Sequence, residues 1–383
     1  CFDLHNLFEG TAQMTRLADT IKRYDFISMA CVFALFTIGL IFVYSAAKTL
    51  DASVKYTAVQ LVAMLMGIVL IYFISLMDYD DILSFWKYIT GACVFVLLLV
   101  LVIGQGKEST GTKGWIRFGG IGIQPAELVK IGFIITLSKH LEYVGDDINY
   151  IKNVLLLLAH LVVPVFLVML QPDFGTAMVF IFIFVVMLFV SGIDRRYIIA
   201  ALASFAILAA VAWKFVLNSI QKQRFYAFFY PEAAPTTYGY HVMQSKIAIG
   251  SGGFSGKGLF HGIQTQLGIL PEKHTDFIFS VIGEEGGFVI SVLVVLLMIT
   301  LIIRTVVIAK NARSDGGSMI CIGIAAMWLF HFLENIGMTV GLMPVTGIPL
   351  PFVSYGGSSL LTNFIALGLV QNVYMRKKSI TFF

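Results

Sequence analysis

Charge is what this sequence lacks most. Only 13% of its 383 residues are Asp, Glu, Lys or Arg, against about 25% in an ordinary soluble domain. So few charges cannot cover a water-soluble fold of this length. With 58% hydrophobic residues and a mean hydropathy of +0.89, the chain falls in the membrane class. The net charge of +4 is spread through loops rather than massed on one face, so nucleic acid is not an expected partner. Cysteine is scarce as well: Cys1, Cys31, Cys93 and Cys321, with no C-x-x-C pair. The last three lie in apolar runs, where a thiol packs as a small hydrophobe. Neither a disulfide framework nor a cysteine metal site is expected. Beyond His5, the histidines His140, His160, His241, His261, His274 and His331 are scattered, none at ligand spacing, and His331 with Glu334 and Asn335 reads as a buried polar network. The glycines carry no Walker spacing, which argues against a nucleotide site. No low-complexity linker divides the chain.

Long apolar runs are what is present. A helix needs about 20 apolar residues to cross the hydrocarbon. Runs at 27–47, 56–76, 85–104, 153–170, 174–192 and 197–217 qualify, and 277–303, 318–340 and 357–375 do so despite polar interruptions. The stretch 125–143, with Glu127, Lys130 and Lys139, is a tenth and partly polar span. The expected fold is an all-α polytopic membrane protein of about ten helices. Fourteen Lys and Arg residues lie on the side of both termini and five in the opposite short loops, so both termini are expected in the cytoplasm. Residues 1–26 then form a cytoplasmic segment, 27–375 one transmembrane domain and 376–383 a cytoplasmic tail. The long segment between helices 7 and 8, about 218–276, is extracytoplasmic. The chain begins at Cys1; Met14 is read as the native start and residues 1–13 are set aside. The first apolar run has full span length and no small-residue cleavage site, so it reads as a retained helix rather than a signal peptide.

Ionisable groups at membrane depth are expensive, and each is a candidate for function. Gln124, Glu127 and Lys130 step by three and share a helix face; they read equally as a structural ion pair. Asp173, in Gln171-Pro172-Asp173, sits at a helix start and reads first as a cap. Gln-Pro recurs at 124–125 and 171–172, since proline suits a first helical turn. The outer segment carries Arg224, Tyr226, His241 and Lys246, then Gly250, Gly252, Gly253, Gly256 and Gly258. That segment is either backbone brought close to a ligand or a re-entrant segment packed on the bundle. Asp276, in His274-Thr275-Asp276, is the last polar residue before an apolar span, where partial desolvation suits a general base. A helix cap is the plainer reading. Glu284 and Glu285 follow, and at least one must face a cavity or a partner. Pro344, Pro349 and Pro351, with the glycines of 341–357, preclude regular helix. Irregular backbone at this depth survives only where it lines a cavity or is buried in protein.

The string Pro271–Phe279, followed by Gly283-Glu284-Glu285, resembles the SEDS family (shape, elongation, division and sporulation). So do Asn335–Met338 leading to Gly341–Pro351 and Ser354–Ser359, with Gln124–Lys130 and Gln171–Ala177 as further motifs. Residues 335–351 look more like the elongation-type RodA branch than the division-type FtsW branch; residues 1–25 match no motif. The resemblance implies a peptidoglycan glycosyltransferase in the bacterial cytoplasmic membrane, its active site facing outward. Its substrates would be lipid II and the growing glycan strand. Its partners would be a class B penicillin-binding protein and other elongation-complex membrane proteins. It implies that Asp276 is the essential aspartate and that Gln124, Glu127 and Lys130 form the polar helix face of the site. His274, Thr275, Ser354 and Tyr355 belong to the same motifs and are taken as substrate-binding candidates.

On that reading the acceptor sugar's 4-hydroxyl attacks the anomeric carbon and expels undecaprenyl pyrophosphate, with Asp276 as base and inversion as the outcome. Lys113, Arg117, Lys130, Arg224 and Lys246 are the candidate cations for the leaving group, with or without Mg2+ or Mn2+ and with no organic cofactor. The competing readings are a lipid II flippase, which broken helices and intramembrane charges would also suit, and a scaffold for the cross-linking enzyme.

Overall fold

The computed structural model describes residues 23–50, 53–106, 113–118, 121–197, 199–200, 213–215, 222, 226, 228–230 and 238–377. Its helices are α1 (Phe26–Ala47), α2 (Ser53–Leu76), α3 (Tyr79–Ser84), α4 (Trp86–Ile103), α5 (Pro125–Val144), α6 (Ile151–Met169) and α7 (Phe174–Val190). They continue with α8 (Tyr238–Gly252), α9 (Ile263–Gln266), α10 (Ile278–Lys310), α11 (Asp315–Val340) and α12 (Gly357–Met375). Nine of the ten expected spans coincide with helices; the tenth, 197–217, lies mostly outside the described residues. Among the described residues six helical segments are long and apolar enough to cross a membrane, so the chain is a polytopic helical membrane protein.

The deviations have physical reasons. The run expected at 277–303 continues to Lys310, because Arg304 does not end it: the guanidinium donates to Asp25 at 2.6 Å across the bundle. Asp25 also caps α1, accepting from the Ser28 N–H at 3.0 Å. Within α10, residues Ile282–Gly286 form a π turn. A two-stranded ribbon, β1 (Ile116–Phe118) and β2 (Ile121–Ile123), precedes α5, with Arg117 opposite Gly122. The segment expected as a long outer loop contains α8 and α9. Ser245 of α8 packs inward, within 2.6 Å of Ser280 and donating to the Thr339 carbonyl.

The core centres on α11, 72% of whose most apolar window is buried. Trp328 is fully buried there and donates to Asn363 of α12 at 2.8 Å. Small residues let helices approach: a Cβ on Gly323 would strike Ile134 of α5 and Met187 of α7. α4 lies at the periphery, with only 11% of its window buried.

Candidate active site

Two irregular segments build the site. The first, 271–277, turns between α9 and α10. Glu272 takes a left-handed backbone, φ 44°, and its carbonyl accepts from the Thr275 and Phe277 N–H groups at 3.3 and 3.2 Å. Phe277 and Ile278 are buried behind it, so Asp276 sits at the head of α10 with its side chain half-buried. The second segment follows α11. Gly341 (φ 79°) caps that helix, Gly347 takes φ 82°, and Phe352 takes φ 63°. A left-handed phenylalanine is costly. Here its ring is wedged edge-on between Trp328 and Phe364, with centroids 5.6 and 5.7 Å away.

Three successive carbonyls of the first segment are gripped by three different residues. Tyr355 N–H donates to His274 O at 2.9 Å, Ser354 Oγ to Thr275 O at 2.7 Å, and Asn335 Nδ2 to Asp276 O at 2.9 Å. The same Asn335 amide also donates to Ile348 O at 2.8 Å. Backbone bonds of this kind fix the stretch of chain from which the Asp276 carboxylate projects. Gly347 lies beside it: a Cβ there would come within 3.2 Å of Asp276 Oδ2.

α2 closes one flank. Tyr56 stacks on His274 at 4.9 Å and on Tyr355 at 4.4 Å, and Gln60 Nε2 donates to Ser354 O at 3.1 Å. Burial pushes the His274 imidazole below its ordinary value, with Glu272 opposing and Lys273 adding. Thr275 Oγ1 lies 3.3 Å from Glu272, on its own turn. Lys273 is buried and donates to Thr49 Oγ1 and Thr265 O, both at 2.5 Å. Glu284 is capped by the Gln264 and Thr265 N–H groups at 2.9 Å and pairs with Lys257 at 3.0 Å. Glu285 accepts from Ser45 and Gln266 at 2.6 and 2.8 Å. Both glutamates thus face partners inside the protein.

The other flank is reached through α7. Gly175 packs on Thr346 O and Ile348, where a Cβ would meet both at 3.3 Å. Just before it, Asp173 caps α7 through the Thr176 N–H (3.0 Å) and accepts from Gln124 Nε2 at 2.9 Å. Gln124 N–H donates to Ser358 Oγ at 3.2 Å, which ties this corner to α12. Lys113 N–H donates to Gln171 O at 3.1 Å, so the exposed Lys113 side chain starts from the same corner. Arg117 is exposed on the ribbon. Lys246 of α8 lies against Gly341 and, like Lys113, has no ion-pair partner among the described residues. Arg224 lies outside the described residues.

Glu127 and Lys130 are different. Lys130 has 1% of its side chain exposed; it donates to Glu127 at 2.8 Å and to His331 Nε2 at 2.9 Å. With Nε2 accepting, His331 carries its proton on Nδ1 and donates to Pro349 O at 3.2 Å. The shared face anticipated for Gln124, Glu127 and Lys130 therefore divides. Gln124 points to the corner above, and the other two brace α11 and the proline-rich segment from inside. Tyr56 and Gln60 join the site as residues the sequence does not mark, and Asn335, read in the sequence as part of a buried polar network, proves to hold the Asp276 and Ile348 carbonyls. Asn335 had a visible signal, an amide one turn from His331 on an apolar helix; Tyr56 had none.

Several buried polar atoms in and beside this region have no hydrogen-bond partner among the described residues: His274 Nδ1, Asn335 Oδ1 and Gln171 Oε1. The family pattern of the FtsW, RodA and SpoVE cell cycle proteins matches residues 26–379. The chain belongs to that family. It is 37% identical to the peptidoglycan glycosyltransferase MrdB of Escherichia coli K12 over 75% of this chain and 78% of that one. It is 31% identical to the peptidoglycan glycosyltransferase RodA of Treponema pallidum over 93% and 99%. Among solved structures it resembles a chain of a peptidoglycan synthase complex in which polymerization and crosslinking are coordinated. There the TM-score is 0.80 at 31% identity, over 92% of this chain and 97% of that one. It also resembles the rod shape determining protein RodA of Thermus thermophilus, with TM-score 0.69 at 28% identity, over 93% and 98%. The chain is thus a RodA-like SEDS enzyme, a glycosyltransferase of cell-wall elongation.

Proposed function

We infer that this protein polymerises lipid II at the outer face of a bacterial cytoplasmic membrane, with Asp276 as general base. The observation that carries the reading is the grip on residues 274–276. Three backbone carbonyls are spent on Tyr355, Ser354 and Asn335, and the Asp276 carboxylate is left half-buried beside Gly347. A positioned carboxylate can take the proton of an acceptor 4-hydroxyl as oxygen attacks the anomeric carbon. The C–O bond to the pyrophosphate then breaks and the leaving group departs with the electron pair. One base and one in-line displacement give inversion. The orphaned amide and imidazole atoms suit a substrate rich in hydroxyls and acetamides.

Lys113 and Lys246, without ion-pair partners among the described residues, are the cations best suited to the departing pyrophosphate, with Arg117, exposed on the ribbon, a third candidate. Lys130 is spent on Glu127 and His331 and serves as a brace. No cluster of three or more His, Cys, Asp or Glu side chains occurs among the described residues. Among the described residues no donor set fits a resident metal, and a divalent ion would arrive as the counter-ion of the pyrophosphate. The cross-linking partner is a class B penicillin-binding protein, a reading supported by the likeness to a synthase complex.

The test is polymerisation of purified lipid II by the purified protein, with and without that partner. Glycan strands from the native protein and none from Asp276→Asn support the reading. Strands from both make Asp276 structural. Strands from neither, with partner and divalent ion present, overturn the proposed reaction.

A further inference from the structure

α4, α5 and α6 line a half-open cavity of about 470 Å³ that runs from Leu97 and Val129, one turn from the Gln124 corner, to a mouth at Lys139 and Tyr143, at the end of the bundle away from Asp276. Its mouth and the Gln124 corner are separated by the length of α5, about 20 Å from Pro125 to Lys139 at 1.5 Å per residue. The wall is largely apolar, built from Val94, Leu97, Val129, Phe133, Leu156 and Val163. Its imidazoles bond to one another. His140 and His160 stack at 5.4 Å, their Nδ1 atoms lie 3.2 Å apart, and His160 Nε2 lies 3.0 Å from Thr136 Oγ1. Their hydrogen bonds are largely made within the wall, so an alkyl chain meets little there that it would have to desolvate.

The mouth is built differently. Trp86 and Tyr143 line it, 38% and 86% exposed, the pairing of ring and polar tip that favours the membrane–water boundary. Lys87 stands 5.7 Å from the Trp86 ring, and Lys152 begins α6 one turn before Leu156. Both are exposed and neither has an ion-pair partner among the described residues. Lys139, also at the mouth, is neutralised by Glu142 at 2.8 Å. The cavity thus combines an alkyl-shaped interior and an interfacial aromatic rim, and two ammonium groups without ion-pair partners among the described residues stand beside it. Positive charge at this level attracts anionic headgroups.

We propose that this cavity binds an anionic phospholipid of the leaflet opposite Asp276, one acyl chain in the cavity and its phosphate at Lys87 and Lys152. The headgroup end of such a site lies the length of α5 from the Gln124 corner, and nothing in the proposed reaction requires it.

The experiment places the full-length protein in phosphatidylcholine nanodiscs carrying a small fraction of acyl-brominated lipid. Quenching of Trp86 is read as the difference between the native protein and Trp86→Phe. Brominated phosphatidylglycerol is expected to quench several-fold more than brominated phosphatidylcholine at equal fraction. Lys87→Gln with Lys152→Gln brings it down to the phosphatidylcholine level, with lipid II polymerisation unchanged. Val94→Phe, which fills the cavity, lowers quenching by both lipids. Equal quenching by the two lipids in the native protein overturns the proposal, as does a preference that survives removal of both lysines. Both lysines are exposed, and either single variant gives the same reading if the double variant is poorly produced.

Discussion

At one end of the bundle, carboxylates face guanidinium groups: Asp25 meets Arg304, and Asp78 meets both Arg313 and Arg376. At the other end they are satisfied mostly by neutral donors. Asp173 holds a glutamine amide and a threonine, and Glu285 holds a serine and a glutamine. Glu284, with Lys257, is the exception. The first end ties α1, α2, α10, α11 and α12 together by charge. The second leaves Lys113 and Lys246 without ion-pair partners among the described residues, and there the backbone of Asp276 is held in place. A cation already paired to a carboxylate has little left for a pyrophosphate. Lys87 and Lys152, at the first end, are also without ion-pair partners among the described residues but lie exposed on α4 and α6, so the difference concerns the carboxylates, held by guanidinium groups at one end and by neutral donors at the other.

Matched removal of a carboxylate at each end breaks or sharpens this contrast most strongly. Asp276→Asn is expected to lower polymerisation by about 10²–10⁴-fold, the usual worth of a general base, with the thermal midpoint nearly unmoved. Asp25→Asn is expected to do the reverse. It costs about 1.5–3 kcal/mol, as for hydrogen bonds to charged groups, and leaves the activity of the folded fraction intact. Strand synthesis and unfolding measured on both variants check the pair; loss of stability in Asp276→Asn would erase the distinction. Next comes Asn335→Ala, which frees the Asp276 carbonyl. Misplacing a catalytic group by about 1 Å costs on the order of 100-fold, so kcat should fall while KM holds. A change in KM alone would make Asn335 a substrate contact.

Lys130 lies between the two ends and belongs to neither. Lys130→Met leaves Glu127 buried and unpaired, a loss of about 3–5 kcal/mol, and Glu127→Gln in the same chain should return most of it. Failure of the double variant to recover would mean that His331 and Pro349 depend on the ammonium itself. The smallest effect is pH-dependent. Burial lowers the His274 pKa from 6.5, so the unfolded chain binds the extra proton first. Stability contributed by neutral His274 is complete above pH 6.5 and declines as pH falls below it toward the folded value. His274→Phe, which keeps a ring against Tyr56, should flatten the slope of Tm with pH in that window.

The helices were legible because apolar runs of span length leave few alternatives, and Asp276, Asp173 and Gln124 stood out as polar residues at helix mouths. What escaped was long-range. Tyr56 reaches His274 across more than 200 positions, and nothing around it in the sequence marks it. Glu284 finds its donors on α9, a four-residue helix with no periodicity to detect. The ribbon at 116–123 is too short to alternate. The division between Gln124 and the Lys130 pair was hidden because residues three apart share a face only approximately, and α7 claims the first while α11 claims the other two.

The π turn at Ile282–Gly286 carries one consequence for the chain as a length of string. Such a turn accommodates one residue more than an α-helix needs. Removing one of its five residues would give an unbroken α-helix with Arg304 still facing Asp25, because the wider turn has absorbed the extra residue locally. The Glu284 and Glu285 carboxylates, which lie inside the turn, would leave their donors. The turn therefore separates two requirements: the pair at Arg304 depends on the helix beyond it, and the glutamate contacts depend on the turn itself. A relative without the extra residue keeps the first and must rebuild the second.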